Sequence, residues 1–320
     1  MAFARLIAIE SARLEKQVWN PRYSLDVTKN LTTCVITICH LAHADVWRLT
    51  SALLPRFVEA DEYRVYVPSS EIKAFLLITD PAIQVLPQES LGSSYAIPLR
   101  RAADSSENGK RYGWYLQQFH KLEALRITPA DRLVIWDADC VPVDKMDFFD
   151  QDNVPVYMTA GEYHHPYFLM IHRLLGLSRV QDHSFVIPGF PILKSWVEDF
   201  IREVEVRNDG FTWFDAIIFH TDLSLASGFS ETETLGTWIA NAYPDEWKTT
   251  EIAWERRGQS RFGYAKDLST AQVVSIGNRE NLKVITFENW DVPKVLGARQ
   301  SFKSMVSIAS KKFRRHFKAS

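Results

Sequence analysis

The chain has 320 residues, 46% of them hydrophobic and 24% charged, with a net charge of −2. That is enough apolar material for one large domain or two small ones with a real core. The near-neutral balance argues against a chain that works by wrapping nucleic acid, so no nucleic-acid partner is expected.

In chain order, the β-branched run "LTTCVITICH" (31–40) predicts a strand and "ADVWRLTSALLPRF" (44–57) has helical spacing. "YRVYVP" (63–68) reads as a strand, "SSEIKAFLLI" (69–78) as a capped helix and "IQVL" (83–86) as a short strand. The stretch 100–113, rich in Ser, Asp, Asn and Gly, reads as a polar loop. "WYLQQFHKLEALRI" (114–127) predicts a helix and "RLVIW" (132–136) a strand apolar on both faces. Further on come strands at 154–159 and 183–189, helices at 166–177 and 192–205, and a strand at 283–289. Strands alternating with helices predict an α/β layer fold with a mostly parallel sheet, extended by a mixed second half. No linker divides the chain. One domain is expected over 1–293, with a first half near 30–150, an extended second half at 151–293 and a tail from 294.

The three cysteines (34, 39 and 140) have no metal-ligand spacing and read as free thiols of a reducing compartment. The N-terminus lacks a secretory pattern and no apolar run is long enough to cross a bilayer, which predicts a cytoplasmic protein. The tail 294–320 carries eight Lys or Arg and no Asp or Glu, with apolar residues at helical spacing. It reads as a basic amphipathic helix for an anionic membrane surface, which would make the protein peripheral to the inner face.

The sharpest local signal is "DRLVIWDADCVPV" (131–143). A buried strand ends in Asp137 and Asp139, where ligands of open α/β sheets gather. In extended backbone these two side chains point the same way. Paired hard oxygens suit Mg²⁺ or Mn²⁺ completed by substrate phosphates. On the helix 114–127, Trp114, Gln117, Lys121 and Leu125 share a face, and a lysine there needs an anion nearby. In "SETETLGTWIANAY", Ser230 and Glu233 have capping-box spacing. Glu231 falls on the stripe of Leu235, Trp238 and Ala242 and points inward, either as a general base or acceptor ligand or as a buried Glu satisfied by the helix terminus. His40, ending the first strand, falls at the same sheet edge as Asp137. His164 and His165 read as a loop near the acceptor. Trp213, Trp238 and Trp254 read as core, with one of them free to stack on a sugar.

The segment 131–143 resembles the donor site of GT-A (Rossmann-like) glycosyltransferases, whose Asp-x-Asp motif holds a divalent metal against a nucleotide-sugar diphosphate. Together with "YGWYLQQFHKL" (112–122) and "GFSETETLGTWIANAYP" (228–244), it resembles a bacterial family of glycosyltransferase-like proteins, DUF6492. That family usually reads Ser-Glu-Tyr where Thr232 stands here, so any role of that aromatic is lost or supplied elsewhere. The resemblance implies a metal-dependent transfer of sugar from a nucleotide-sugar donor to a glycan or lipid-linked glycan. It implies Asp137 and Asp139 as metal ligands, with Asp139 also catalytic, and a late His as a further ligand, with His220 and His183 as the candidates. It implies Lys121 as a donor contact; beside it, Gln117 or Gln118 on the same helix is expected to meet sugar hydroxyls and His40, by its place at the sheet edge, the nucleotide. The residues alone also fit a nucleotidyl or phosphoryl transferase, or a non-catalytic sugar-binding protein.

Overall fold

The computed structural model describes residues 31–106 and 111–291. The chain runs β1 (Thr33–Ile38), α1 (Ala44–Phe57), β2 (Glu62–Val67), α2 (Ile72–Ile78), β3 (Ile83–Pro87), α3 (Ala96–Asp104), α4 (Tyr112–Ile127), β4 (Arg132–Trp136) and β5 (Cys140–Pro142). It continues through β6 (Val156–Met158), α5 (His165–Leu175), β7 (Gly189–Leu193), α6 (Lys194–Arg207), α7 (Trp213–His220) and α8 (Glu231–Ala242). β8 (Lys248–Thr250), β9 (Trp254–Glu255), α9 (Gly258–Phe262), α10 (Thr270–Glu280) and β10 (Val284–Thr286) complete it. The basic tail lies outside the described residues. No helix among them is long and apolar enough to cross a membrane. All three cysteines are buried and free.

Five strands form the main sheet in the order β3-β2-β1-β4-β7. β1 pairs in parallel with β2 and β4, and β2 with β3. β7 alone runs antiparallel, against β4. The fold is therefore α/β with a mixed, mostly parallel sheet flanked by helices. All six residues of β1 are buried, Thr33 and Thr37 along with the four apolar ones, as in a strand covered on both faces. A second apolar cluster joins Leu49 and Leu53 of α1 to Val141, Val273, Ile285 and Phe287, which seats β5, α10 and β10 against α1.

Two predicted elements are corrected. The polar stretch 100–113 begins inside helix α3, which buries Leu99 and Ala103 and turns its arginines outward. Short one-faced burial with few apolar residues leaves little periodicity to read. The segment 183–189 is not a strand, apart from a single bridge from Ser184 to Ala160. The strand starts at Gly189, so the helix predicted from 192 begins at Lys194.

Phe185, fully buried, packs on Gly236 of α8, where an added Cβ would meet the ring at 2.1 Å. Gly236→Ala is expected to destabilise by about 1–3 kcal/mol in urea melts, because overpacking outweighs the ~1 kcal/mol gain in helix propensity. A stability equal to or above wild type would show that the ring can move.

His120 of α4 is buried, and its Nδ1 is 2.8 Å from the Tyr95 hydroxyl. Burial pushes its pKa down to about 4. The unfolded chain binds this proton more readily, so the stabilisation is complete above the unfolded pKa of about 6.5 and is lost as pH falls toward 4. Between pH 7 and 4.5 that loss is roughly 2 kcal/mol. Urea melts of His120→Gln should show an acid loss smaller than that of wild type by that amount, and parallel profiles would exclude the linkage.

Candidate active site

The acidic segment is a tight turn, not an extension of the strand. β4 stops at Trp136, and the Cys140 N–H donates to the Asp137 carbonyl at 3.1 Å. The expectation that Asp137 and Asp139 align as strand neighbours is thus corrected: closure of the turn aims them both at the cavity. Three separate segments and the last residue of β4 pin it. The Asp137 N–H donates to the Pro188 carbonyl at 3.1 Å, and the Phe287 N–H donates to the Asp139 carbonyl at 2.9 Å. The buried Thr50 hydroxyl of α1 donates to the Ala138 carbonyl at 2.9 Å, and the Trp136 indole donates to the Cys140 carbonyl at 2.8 Å.

Lys121, on the middle of α4, sends its Nζ 2.7 Å from Asp137 Oδ1 and 2.7 Å from Glu231 Oε1. Its side chain is 7% exposed and that of Glu231 is 2% exposed, while Asp137 keeps 37%. Burial opposes the Lys121 charge, but Asp137 and then Glu231 outweigh it and raise its pKa. Burial raises the Glu231 pKa, and Lys121 works against that rise. Glu231 opens α8, where the Ser230 side chain accepts from the Glu233 N–H at 3.3 Å, as the capping spacing predicted. The Glu233 carboxylate does not complete the box. It accepts instead from the Ser184 hydroxyl and the Phe185 N–H.

Asp137, Asp139, Lys121 and Glu231 line a cavity of about 510 Å³ at the carboxyl end of β4. It holds five carboxylates, Asp137, Asp139, Glu162, Glu231 and Glu288, against three cations, Arg111, Lys121 and Arg256. Lys121 is shared by two of the acids. Arg256 is shared by two more, Glu162 and Glu288. Asp139 is the fifth, and among the described residues it has no ion-pair partner. Burial, then the charges of Asp137 and Glu288, push its pKa up to about 7. Arg111 has no carboxylate partner among the described residues either. It donates to the Ala226 carbonyl at 2.7 Å and lies over the Trp114 ring at 4.9 Å.

The cavity thus brings together Asp137, Asp139, Lys121, Gln117, Gln118 and Glu231. Gln117 donates to the Ile38 carbonyl at 3.2 Å, which ties α4 to the end of β1. Gln118 is buried, with its amide 3.4 Å from the Trp114 carbonyl. His40 is not in the wall. Its Nδ1 accepts from the Ala42 N–H at 3.3 Å, and its ring stands edge-on to His43, which does line the cavity. Burial, then His40, push the His43 pKa down to about 4.

His220, expected as a metal ligand, sits on α7 with its Nε2 2.7 Å from Asn208 Oδ1 and is not in the cavity wall. His183 packs its ring against Phe185 and Trp247 and is not in the wall either. His164 reaches the Ser227 carbonyl at 2.8 Å, and Ser227 lines the cavity. Trp213 and Trp238 are core, whereas Trp254 lines the cavity and donates to Thr286 Oγ1 at 2.7 Å. Sequence reasoning missed Arg111, Glu162, Arg256, Glu288 and Trp290.

Among the described residues no three His, Cys, Asp or Glu side chains converge closely enough to hold a metal ion. The donor set fits a hard divalent cation only as a two-carboxylate site with other ligands supplied from outside the protein. The uncompensated Asp139 beside Asp137 has the charge for that role.

Residues 48–222, more than half of the chain, match the family of unknown function DUF6492. The chain belongs to the DUF6492 family. For this DUF6492 member none of the curated proteins gives a match. The solved apo structure of mouse xyloside xylosyltransferase 1 aligns with a TM-score of 0.44 and 13% identity, over 82% of this chain and 99% of that one. A likeness this loose bears on neither substrate nor chemistry.

Proposed function

We propose that this DUF6492 member is a GT-A-type, metal-dependent glycosyltransferase that moves a sugar from a nucleotide-sugar donor to a glycan or lipid-linked glycan. The observation that carries the reading is Asp139, the one cavity carboxylate without a cation among the described residues, on a pinned turn at the carboxyl end of the central strand. Asp137 and Asp139 would hold Mn²⁺ or Mg²⁺ through carboxylate oxygens. Such a cation, when bound, neutralises charge on a departing diphosphate.

The chain's own residues do the rest. Arg111, spread on Trp114, offers to the diphosphate a guanidinium with no carboxylate partner among the described residues. Gln117 spends its amide N–H on the Ile38 carbonyl and keeps its oxygen for a sugar hydroxyl. Trp254, fixed by its indole N–H, offers a flat face to a sugar ring. In an inverting transfer the acceptor oxygen attacks the anomeric carbon, the bond to the diphosphate breaks, and Glu231 takes the hydroxyl proton. In a retaining transfer Glu231 accepts a hydrogen bond from the acceptor instead.

The test is a panel of nucleotide sugars read by thermal shift with and without Mn²⁺. A donor at 100-fold its dissociation constant adds about 2.7 kcal/mol, which raises the melting temperature by roughly 4 °C. Binding should require Mn²⁺ and release a nucleoside diphosphate on turnover. Pyrophosphate release would mean nucleotidyl transfer, binding without turnover a sugar-binding protein, and no shift with any donor would end the proposal.

A further inference from the structure

The ammonium of Lys121 stands where a free cation would be drawn. It is 2.7 Å from Asp137 Oδ1, is shielded from water, and is held between two elements, the β4 turn and the start of α8. We propose that Lys121 is a positioning residue that keeps the Asp137–Asp139 turn at low affinity for a free divalent cation, so that the cation is taken up together with an anionic diphosphate. The inference rests on the reading of the cavity as a metal-dependent donor site and adds to it an order of assembly.

The physical argument is like-charge repulsion at short range. A positive charge one hydrogen bond from Asp137 weakens any second cation on that carboxylate, and burial leaves the repulsion poorly screened. Glu231 sets its strength. It shares the ammonium and so draws part of the charge away from Asp137. A diphosphate in the cavity adds negative charge against both cations and removes the penalty. The cavity has a place for that anion, because Arg111 has no carboxylate partner among the described residues.

Glu231 and Lys121 therefore have opposite effects on Mn²⁺ affinity, which a purely structural ion pair does not predict. The experiment is a titration of Mn²⁺ alone, with free Mn²⁺ read by electron paramagnetic resonance, for wild type, Asp139→Asn, Glu231→Gln and the double variant Glu231→Gln/Lys121→Met. The double variant removes the buried carboxylate with its cation, so it avoids leaving Glu231 charged and alone. Glu231→Gln should bind Mn²⁺ about 10-fold more weakly than wild type, because Asp137 then receives the whole Lys121 charge. The double variant should bind about 10-fold more tightly than wild type. If Asp139→Asn loses Mn²⁺ while both Glu231 variants bind like wild type, this inference is overturned and the proposed function stands. If no protein of the four binds Mn²⁺ at millimolar concentration, Lys121 is not what holds the affinity down and the inference is overturned; if Asp139→Asn binds it unchanged, the metal reading fails and takes the inference with it.

Discussion

Asp139→Asn is expected to turn over donor at least 10²-fold more slowly than wild type and yet to melt at a higher temperature at pH 8. Asp139 shares its cavity with four other carboxylates, and the two paired cations serve those four. Its folded pKa is raised, so the ionised form destabilises the fold. The penalty is absent below the unfolded pKa near 4, grows as pH rises, and is complete above about 7. The side chain keeps some solvent contact, so the gain on neutralisation is discounted to about 1–2 kcal/mol. The measurement is donor turnover beside thermal melts at pH 8 and pH 5, with the stability gain confined to pH 8. A variant that keeps its activity, or loses stability at pH 8, contradicts the site as drawn.

Lys121→Met alone is expected to cost about 3–5 kcal/mol, because removing one partner of a buried ion pair leaves the other charge uncompensated. Glu231 is the charge so exposed, at 2% accessibility and without another cation among the described residues. The melting temperature should fall by about 5–8 °C, and adding Glu231→Gln should restore at least half of the loss. No recovery in the double variant would mean that the lysine stem, and not its charge, holds α4 to α8.

Helix 44–57 and strand 132–136 were legible to the residue, because each is a long, clean pattern that tertiary contacts reinforce. The acidic turn was legible as a site but not as a turn, since the hydrogen bonds that close it come from residues 50, 188 and 287. The lysine's need for an anion was legible too. The protein itself meets that need through Glu231, 110 residues away in sequence. Glu162 and Glu288 were invisible because their meaning lies in Arg256, at separations of 94 and 32 residues. Periodicity holds no record of such closures. His220 was a candidate only through the late His that the resemblance implies, and its ring pairs with the nearby amide of Asn208.

The antiparallel β7 has a consequence for how such a scaffold diversifies. Because it runs against β4, the exit of one strand and the entry of the other meet at a single end, and Val186, Ile187 and Pro188 line the cavity there. Rewriting that short lead-in changes the shape of the chamber while the register of the four parallel strands stays as it is. Relatives built on this plan can reshape the chamber by editing the side chains of a lip, with the acid-bearing floor left intact.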